Sequence, residues 1–231
     1  MSKVTFVLSD IHGCRKEMNL LLSKILKRFN SPNFIFLGDY VDRGKDSKGV
    51  VDDLLQLRNN YECVFLIGNH EDMLLDRAKG INAFGNRWDK NGNDATIFSY
   101  GSLSNILKIH GDFYENLNLY YEEKDFLFVH GGLEPNLSLE EQDYQTMLWI
   151  RDDFIYSDYD FGKIIIYGHT PQFPIRITFK KICVDTGCVY GKNLTALKLD
   201  DFSYFTVPLG GSKIDSGRLD RNALLENNIT L

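Results

Sequence analysis

Cysteines are few and long hydrophobic runs are missing, and each absence narrows the class of protein. The four cysteines are Cys14, Cys63, Cys183 and Cys188, and no two of them form a C-x-x-C pair. A zinc-finger site therefore has no support, and reduced thiols in a cytoplasmic protein are the expectation. No stretch approaches about 18 consecutive apolar residues, so we expect neither a membrane span nor a membrane partner. The first residues lack the hydrophobic region of a signal peptide, which also favours a cytoplasmic location.

An excess of positive charge is missing as well. The chain has 231 residues, a mass of 26.6 kDa and a formal net charge of −6. This acidity argues against nucleic acid as the main partner. The hydrophobic and charged fractions, 43% and 25%, are ordinary for a soluble globular protein. The length suits a single domain with a full hydrophobic core.

What the sequence does contain is one pattern repeated five times: an apolar segment that stops at a glycine-bounded loop carrying Asp, Asn or His. Apolar runs of this length, rich in aromatic and β-branched residues, are typical of buried strands. A single such loop could be a solvated turn, but five repetitions point to one shared site. The loops read Ser9-Asp10-Ile11-His12-Gly13, Gly38-Asp39-Tyr40-Val41-Asp42-Arg43-Gly44, Gly68-Asn69-His70-Glu71, His130-Gly131-Gly132 and Gly168-His169-Thr170.

Between the first three loops, hydrophobic spacing predicts helices over residues 14–29 and from Asp46 or Ser47 to Leu57. The resulting β-α-β-α-β-α order predicts an α/β protein with a largely parallel sheet. Residues 81–125 break this order, and we interpret them as an insertion over the site. The main domain is expected to cover residues 1–208, followed by a polar C-terminal tail at 209–231. Further strands are predicted at 126–130, 164–168, 177–184, 194–199 and 203–207, and a helix around 138–148.

The residues at the strand ends have the chemistry of a two-metal site. Carboxylate and amide oxygens combined with neutral imidazoles suit Mn, Fe or Zn better than Ca. If six residues serve two ions, one aspartate must bridge them, and Asp39 has the central position in chain order. Two such metals can share a water, lower its pKa and offer the hydroxide in line to a phosphorus atom. The six candidate ligands are Asp10, His12, Asp39, Asn69, His130 and His169.

Charged residues beside these ligands suit phosphoryl chemistry. Arg43 and Arg151 are candidates for binding the phosphate oxygens, because the planar guanidinium can make paired hydrogen bonds to them. His70 follows Asn69 directly and can face the leaving oxygen as a general acid, oriented by a carboxylate such as Asp42. The sequence therefore predicts His70 and Asp42 as the catalytic acid pair.

In their order and spacing, the five motifs resemble those of the calcineurin-like metallophosphoesterases. More narrowly, they resemble the phosphoprotein phosphatase branch in the compact form of bacteriophage lambda phosphatase. The likeness spans residues 9–170, and the segment Asp185-Thr186-Gly187-Cys188-Val189-Tyr190-Gly191 extends it toward residue 199. The resemblance implies a single domain with a central β-sandwich flanked by helices.

The family pattern also implies roles for individual residues. One metal would take Asp10, His12 and Asp39, and the other Asp39, Asn69, His130 and His169. The substrate phosphate would contact Arg43, Arg151, Asn69 and Tyr190, although a packing role for Tyr190 is an alternative. Ser9 stands where many members have glycine, and only a small residue is required there. Trp149 is expected in the core or the pocket wall.

The function expected from these motifs is a serine/threonine protein phosphatase that uses two divalent metals, with Mn first. Its partner would be a phosphorylated protein or peptide, and the chain is expected to be a monomer. The alternative is a symmetrical bis(5'-nucleosyl)-tetraphosphate hydrolase, which shares the motifs. A binding module that keeps the fold is disfavoured because every expected ligand is present. A nuclease of the same superfamily is disfavoured by the net acidity.

Overall fold

Two β-sheets face each other at the centre of the computed structural model, which describes residues 4–224. The strands are β1 Thr5–Leu8, β2 Asn33–Phe36, β3 Cys63–Phe65, β4 Tyr120–Glu122, β5 Phe126–Val129, β6 Ile164–Tyr167, β7 Arg176–Thr178, β8 Lys181–Cys183, β9 Asn193–Lys198, β10 Ser203–Pro208 and β11 Asp215–Arg218. The α-helices are α1 Arg15–Arg28, α2 Ser47–Arg58, α3 Asn69–Ala78, α4 Asn93–Tyr100, α5 Leu103–Glu115, α6 Tyr144–Trp149 and α7 Asp152–Ile155. Short 3-10 turns cover Asp89–Asn91, Leu139–Glu141, Cys188–Tyr190 and Arg221–Leu224.

The alternation of side chains along the central strands explains why these strands are apolar throughout. In β1, Phe6 and Leu8 pack under the helices, whereas Val7 packs between the two sheets. In β6, Ile166 points between the sheets, and its neighbour Ile165 packs against the opposite helical layer. Because successive residues of a strand point to opposite faces, a strand covered on both sides must be apolar at every position. The predicted α/β fold, a β-sandwich between helical layers, is confirmed.

The strand order brings the motif loops to one edge of each sheet. The first sheet has the order β11-β10-β9-β1-β2-β3, and the second has the order β4-β5-β6-β8-β7. The pairs β1–β2, β2–β3, β5–β6 and β6–β8 are parallel. Since parallel strands present their carboxyl ends at the same edge, all five motif loops gather at one end of the sandwich. The predicted parallel arrangement is confirmed.

Helices α1 and α2 follow the predicted pattern closely. Met18, Leu21 and Ile25 of α1 are buried at helical spacing against the first sheet. Asp46 caps α2, since its Oδ1 accepts a hydrogen bond of 2.9 Å from the Gly49 amide. Of the two predicted caps, the structure uses Asp46. Among the described residues, none of the helices combines the length and the apolar character that crossing a bilayer requires.

Three segments differ from their predictions. The strand predicted over residues 177–184 is two strands, because the chain turns at Phe179 and Lys180, where Lys180 has a φ of 47°. The predicted helix around 138–148 is a 3-10 turn followed by α6. Part of the predicted tail is strand β11, which pairs with β10. Its sequence, Asp-Ser-Gly-Arg, can be polar because β11 is an edge strand exposed to solvent. Residues 225–231 of that tail lie outside the described residues.

The segment predicted as an insertion contributes to the core as well as to the site. Helix α5 buries Ile106, Phe113 and Tyr114 in the same cluster as α1 and α2. Tyr40 and Phe65, beside the motif loops, pack edge-on against Phe113. The apolar residues of this segment are spread over three turns of α5 rather than grouped in the sequence, and they form part of the main core.

Candidate active site

The motif loops have an unusual backbone conformation that explains their glycines and short polar residues. Asp10, His12, Asp39, Asp42 and Arg43 have φ values between 45° and 71°, a left-handed region that non-glycine residues rarely adopt. His169 has a φ of 64°. Such conformations cost of order 1–3 kcal/mol each and persist where surrounding contacts fix them. They cluster here at one edge of the two sheets, which marks that edge as the site.

One buried carboxylate holds two of the loops in place. Glu71 Oε2 accepts hydrogen bonds from the Asp39 and Gly68 amides at 2.8 and 3.0 Å. Its Oε1 accepts from the Tyr40 and Val41 amides at 2.9 and 3.3 Å. Burial is the main cause that raises the pKa of Glu71 to about 8. A Cβ at Gly68 would collide with the Asp39 carboxylate, so the loops fit only with glycine there.

Asp39 lies between histidines from both sheets. Its Oδ2 is 3.4 Å from His12 Nε2 and 3.9 Å from His70 Nε2, and its Oδ1 is 3.5 Å from His130 Nε2. Ligand atoms of His12, Asp39 and His70 all lie within 4.8 Å of one another, and so do those of Asp39, His130 and His169. Every member of the two groups is buried. The arrangement offers two adjacent cation sites that share Asp39.

Backbone carbonyls orient two of the histidines. His12 Nδ1 donates to the Val41 carbonyl at 2.6 Å, and His130 Nδ1 donates to the Leu37 carbonyl at 2.8 Å. A ring that donates from Nδ1 presents the lone pair of Nε2, the form in which imidazole binds metals. His130 Nε2 is 3.0 Å from Asn69 Oδ1, so these two predicted ligands are adjacent.

Asp10 follows β1 of the first sheet and is hydrogen-bonded to the second sheet. Its Oδ2 accepts a hydrogen bond of 3.0 Å from the His169 amide, across 159 residues of chain, and another from the Ser9 hydroxyl. A Cβ at Gly168 would collide with Ser9 Oγ and Asp10 Oδ2. Asp10 lines the cavity but is not a member of either three-residue group, whereas His70 is. The structure thus places His70 nearer to the first cation site than the sequence suggested.

His70 and Asp42 form a tightly bonded pair. His70 Nδ1 is 2.6 Å from Asp42 Oδ2. Asp42 also accepts hydrogen bonds from Trp88 Nε1 at 2.7 Å and from Thr96 Oγ1 at 2.6 Å. Burial raises the pKa of Asp42 to about 7, and burial followed by the charge of Arg43 lowers the pKa of His70. The pair can therefore hold and release a proton beside the cavity.

The cavity formed by these residues has a volume of about 210 Å³. Arg43 reaches it with one guanidinium nitrogen 2.8 Å from His12 Nε2 and the other donating to Asn91 Oδ1 at 3.0 Å. Arg151 is exposed and donates to the His169 carbonyl and to Thr170 Oγ1, both at 3.3 Å. The lining residues are Asp10, His12, Asp39, Arg43, Asn69, His70, Asn91, Trp149, Arg151, His169, Pro171, Asp185 and Tyr190.

The buried charges and lone pairs of the site fit divalent cations. His169 Nε2 is buried and has no hydrogen-bond partner within residues 4–224. Burial and the charge of Asp10 raise the pKa of both Asp39 and Asp185, since the carboxylates lie close together in a buried site. Divalent cations would offset this repulsion and take the free imidazole nitrogen. The carboxylate, amide and imidazole donors suit transition metals.

The structure brings together all the predicted site residues and adds four that the sequence analysis missed. Trp88, Asn91 and Thr96 come from the segment predicted as an insertion, and no local pattern links them to Asp42 or Arg43. Asp185 is 3% exposed, and its Oδ1 accepts a hydrogen bond of 2.9 Å from the Gly187 amide. Its signal was present, because it follows an apolar strand just as the other five loops do.

Comparison with known proteins defines the class. A model of the calcineurin-like phosphoesterase family matches residues 4–205. The chain belongs to this family, and is a hydrolase of the metallophosphoesterase type, which uses two divalent metals.

The individual relatives narrow the comparison. The bis(5'-nucleosyl)-tetraphosphatase PrpE (asymmetrical) of Oceanobacillus iheyensis is 29% identical over 231 residues, which cover 87% of this chain and 90% of that protein. Two solved structures share the fold. One is a protein proposed to be a diadenosine tetraphosphatase, with a TM-score of 0.69 and 21% identity over 90% of this chain and 95% of that chain. The other is a cold-active protein tyrosine phosphatase, with a TM-score of 0.69 and 20% identity over 98% of this chain and 81% of that chain.

These findings confirm the predicted superfamily but not its predicted branch. The curated relatives carry the name of a dinucleoside tetraphosphatase rather than that of a lambda-type serine/threonine phosphatase. The motifs alone could not separate the two, because both classes of enzyme share them. What differs is the part of the substrate that lies beyond the phosphate.

Proposed function

We propose that the protein hydrolyses dinucleoside tetraphosphates, with asymmetrical cleavage of the four-phosphate bridge. The observation that carries this proposal is the pair of cation sites sharing Asp39, with Arg43 and Arg151 lining the same cavity. Such a site is built for an anionic phosphorus centre. The substrate class rests on the names of relatives that match along most of the chain.

Each part of the site has a role in this proposal. The metals would be held by Asp10, His12, Asp39, Asn69, His130 and His169. When bound, they supply Lewis acidity and a water of lowered pKa. Arg43 and Arg151 bind the phosphate oxygens and stabilise the charge that develops there.

The His70–Asp42 pair moves a proton at the leaving oxygen. Asp42 fixes the ring through Nδ1, which leaves Nε2 free to face the substrate. A ring held in this orientation can donate a proton to the leaving oxygen. A phosphate leaving group needs less proton donation than an alkoxide, so this pair matters least for anhydride substrates.

A second candidate function, hydrolysis of phosphoserine or phosphothreonine in proteins, is favoured by the size of the cavity. About 210 Å³ holds a phosphate and little else, and Arg151 and Tyr190 at its mouth are exposed. The rest of a phosphopeptide could therefore remain outside. Mn as the native metal, a monomeric state and a cytoplasmic location stay predictions.

Product analysis tests the proposal. The purified protein is incubated with Mn²⁺ and either diadenosine tetraphosphate, a phosphoserine peptide or a phosphotyrosine peptide, with the Asp39→Asn variant as control. Asymmetrical cleavage gives AMP and ATP, whereas symmetrical cleavage gives ADP alone. A kcat/KM on either peptide that exceeds the value on the dinucleotide would reject the proposal in favour of a protein phosphatase.

A further inference from the structure

A second concavity adjoins the catalytic cavity and shares one wall with it. This groove has a volume of about 690 Å³, and Trp149 lines both spaces. Its lining residues are Arg87, Glu134, Pro135, Asn136, Gln145, Thr146, Trp149, Ile150 and Asp153. A substrate whose phosphate occupies the catalytic cavity would therefore extend along Trp149 into this groove. None of the catalytic roles proposed above uses it.

Two flat groups, the Arg87 guanidinium and the Trp149 indole, line the groove. The Arg87 guanidinium lies 5.1 Å from the centroid of the Trp149 ring and 5.8 Å from that of Phe84. The Phe84 and Trp149 rings are 6.5 Å apart and inclined by 41°. Arg87 is exposed and makes no ion pair within residues 4–224. Aromatic rings and guanidinium planes are the surfaces on which unpaired nucleobases stack.

The carboxylates of the groove favour the nucleoside end of the substrate over its phosphates. Glu134 and Asp153 line it and would repel a polyphosphate, but their carboxylates can accept hydrogen bonds from an exocyclic amine. A third concavity, with Arg43 in both walls, also adjoins the catalytic cavity, and its four cations outnumber its two carboxylates: Arg15, Lys16, Arg43 and Lys45 against Glu17 and Asp46. That cationic side suits the chain of phosphates. The substrate would therefore bind with its base in the groove beside Trp149 and its phosphates on the side of Arg43.

We propose that the groove formed by Arg87, Trp149, Glu134 and Asp153 binds the nucleobase nearest to the scissile phosphate. A base with an exocyclic amine, such as adenine, stacks on the Arg87 plane beside Trp149 and donates toward the carboxylates. This inference deepens the proposed function and rests on it. It accounts for asymmetrical cleavage, because a base held next to the catalytic cavity places the first phosphate of the bridge, rather than a middle one, at the metals.

Competitive inhibition tests the base site without requiring dinucleotide turnover. Hydrolysis of p-nitrophenyl phosphate, which has no base, is inhibited with AMP and with ribose 5-phosphate. The wild type should bind AMP about tenfold more tightly, as expected for one stacked base. Arg87→Ala should abolish this preference, and Arg87→Lys should reduce it, since charge remains but the plane is lost. Lys90→Ala, an exposed cation on the same segment outside the groove, is the matched control.

The outcomes separate the two proposals. An equal affinity for AMP and ribose 5-phosphate, or a preference unchanged by Arg87→Ala, would overturn the base site. Hydrolysis of diadenosine tetraphosphate is measured in parallel, and its absence from the wild type would overturn the proposed function instead. If both proposals hold, Arg87→Ala raises the KM for the dinucleotide about tenfold, whereas the Lys90→Ala control leaves this KM unchanged.

Discussion

The two sheets deliver their site residues by different means. The loops after β2 and β3 are held together by side chains, chiefly the Glu71 carboxylate, which accepts four amide hydrogen bonds. The loops after β5 and β6 are bonded to each other, since the Gly168 amide donates to the His130 carbonyl at 2.8 Å. They are also bonded to the first sheet, where His130 meets the Leu37 carbonyl and the His169 amide meets Asp10. The first half of the site is braced internally by this carboxylate, whereas the second half combines internal hydrogen bonds with bonds to the first half. Substitutions in the first half should therefore also disturb the site residues of the second half.

Asp39→Asn should have the largest effect, because Asp39 lies between histidines from both halves. Losing its charge weakens both cation sites, and several kcal/mol of charge stabilisation depend on them. We expect both metals to be lost and turnover to fall at least about 10⁴-fold, with the fold retained. Metal analysis and circular dichroism check this. A variant that keeps two ions and near-normal turnover would disprove the bridging role.

Glu71→Gln should damage the internally braced half. The amide replaces one acceptor oxygen with a donor, so two buried amides lose their partner at about 1–3 kcal/mol each. We expect the free energy of unfolding in urea to fall by about 2–6 kcal/mol, with weaker metal binding. Glu140→Gln, an exposed carboxylate, is the control. Equal stability of the two variants would contradict the bracing role.

Arg43→Ala and Arg151→Ala compare one arginine from each half. Both should retain metals and lose about 10²–10³-fold in kcat/KM, as expected for one fixed donor to a developing anion. Arg43 should lose more, because Asn91 and the edge of the His12 ring fix its guanidinium, whereas Arg151 is exposed. Steady-state kinetics on p-nitrophenyl phosphate measure this. An unchanged kcat/KM would remove that arginine from the site.

His70→Asn should have an effect that depends on the leaving group. An alkyl phosphate needs a proton on its leaving oxygen, so kcat should fall about 100-fold, whereas an aryl phosphate should lose less than about tenfold. The ratio of the two losses, measured with phosphoserine and p-nitrophenyl phosphate, is the readout. Equal losses would mean that His70 positions a group rather than donating a proton.

Lys181→Met should have the smallest effect, since Lys181 lies away from the site. Its ammonium is buried, donates to the Ser157 carbonyl and lies 5.1 Å from the centre of the Phe154 ring. Burial lowers its pKa from 10.5 to about 8. Between these values the unfolded chain binds more protons at this group, so the stability of the wild type relative to the variant should rise with pH. Urea unfolding of both proteins at several pH values from 7 to 10 checks this. A difference in the free energy of unfolding that does not change with pH would contradict it.

The sequence predicted the site better than its surroundings, and the reason is physical. Parallel strands bring their carboxyl ends together, so Asp10 and Asn69 of the first sheet, and likewise His130 and His169 of the second, could be assigned to one edge of their sheet from local patterns alone. Trp88 and Thr96 could not be assigned to Asp42, because nothing local determines which remote side chain meets a buried carboxylate. Strand β11 was missed because an edge strand can be polar on both faces and then lacks the apolar alternation that identifies strands.

The hydrogen bond between the His169 amide and Asp10 also has a consequence for biosynthesis. Asp10, His12, Asp39 and Asn69 leave the ribosome early, but their partners His130 and His169 follow roughly 60–160 residues later, a delay of up to about 30 s at ordinary elongation rates. Strand β9, which covers the open edge of β1, comes later still. The nascent chain therefore exposes an incomplete, carboxylate-rich half-site for much of its synthesis. A cation held by Asp39, His130 and His169 would bind stably only after His169 has been synthesised.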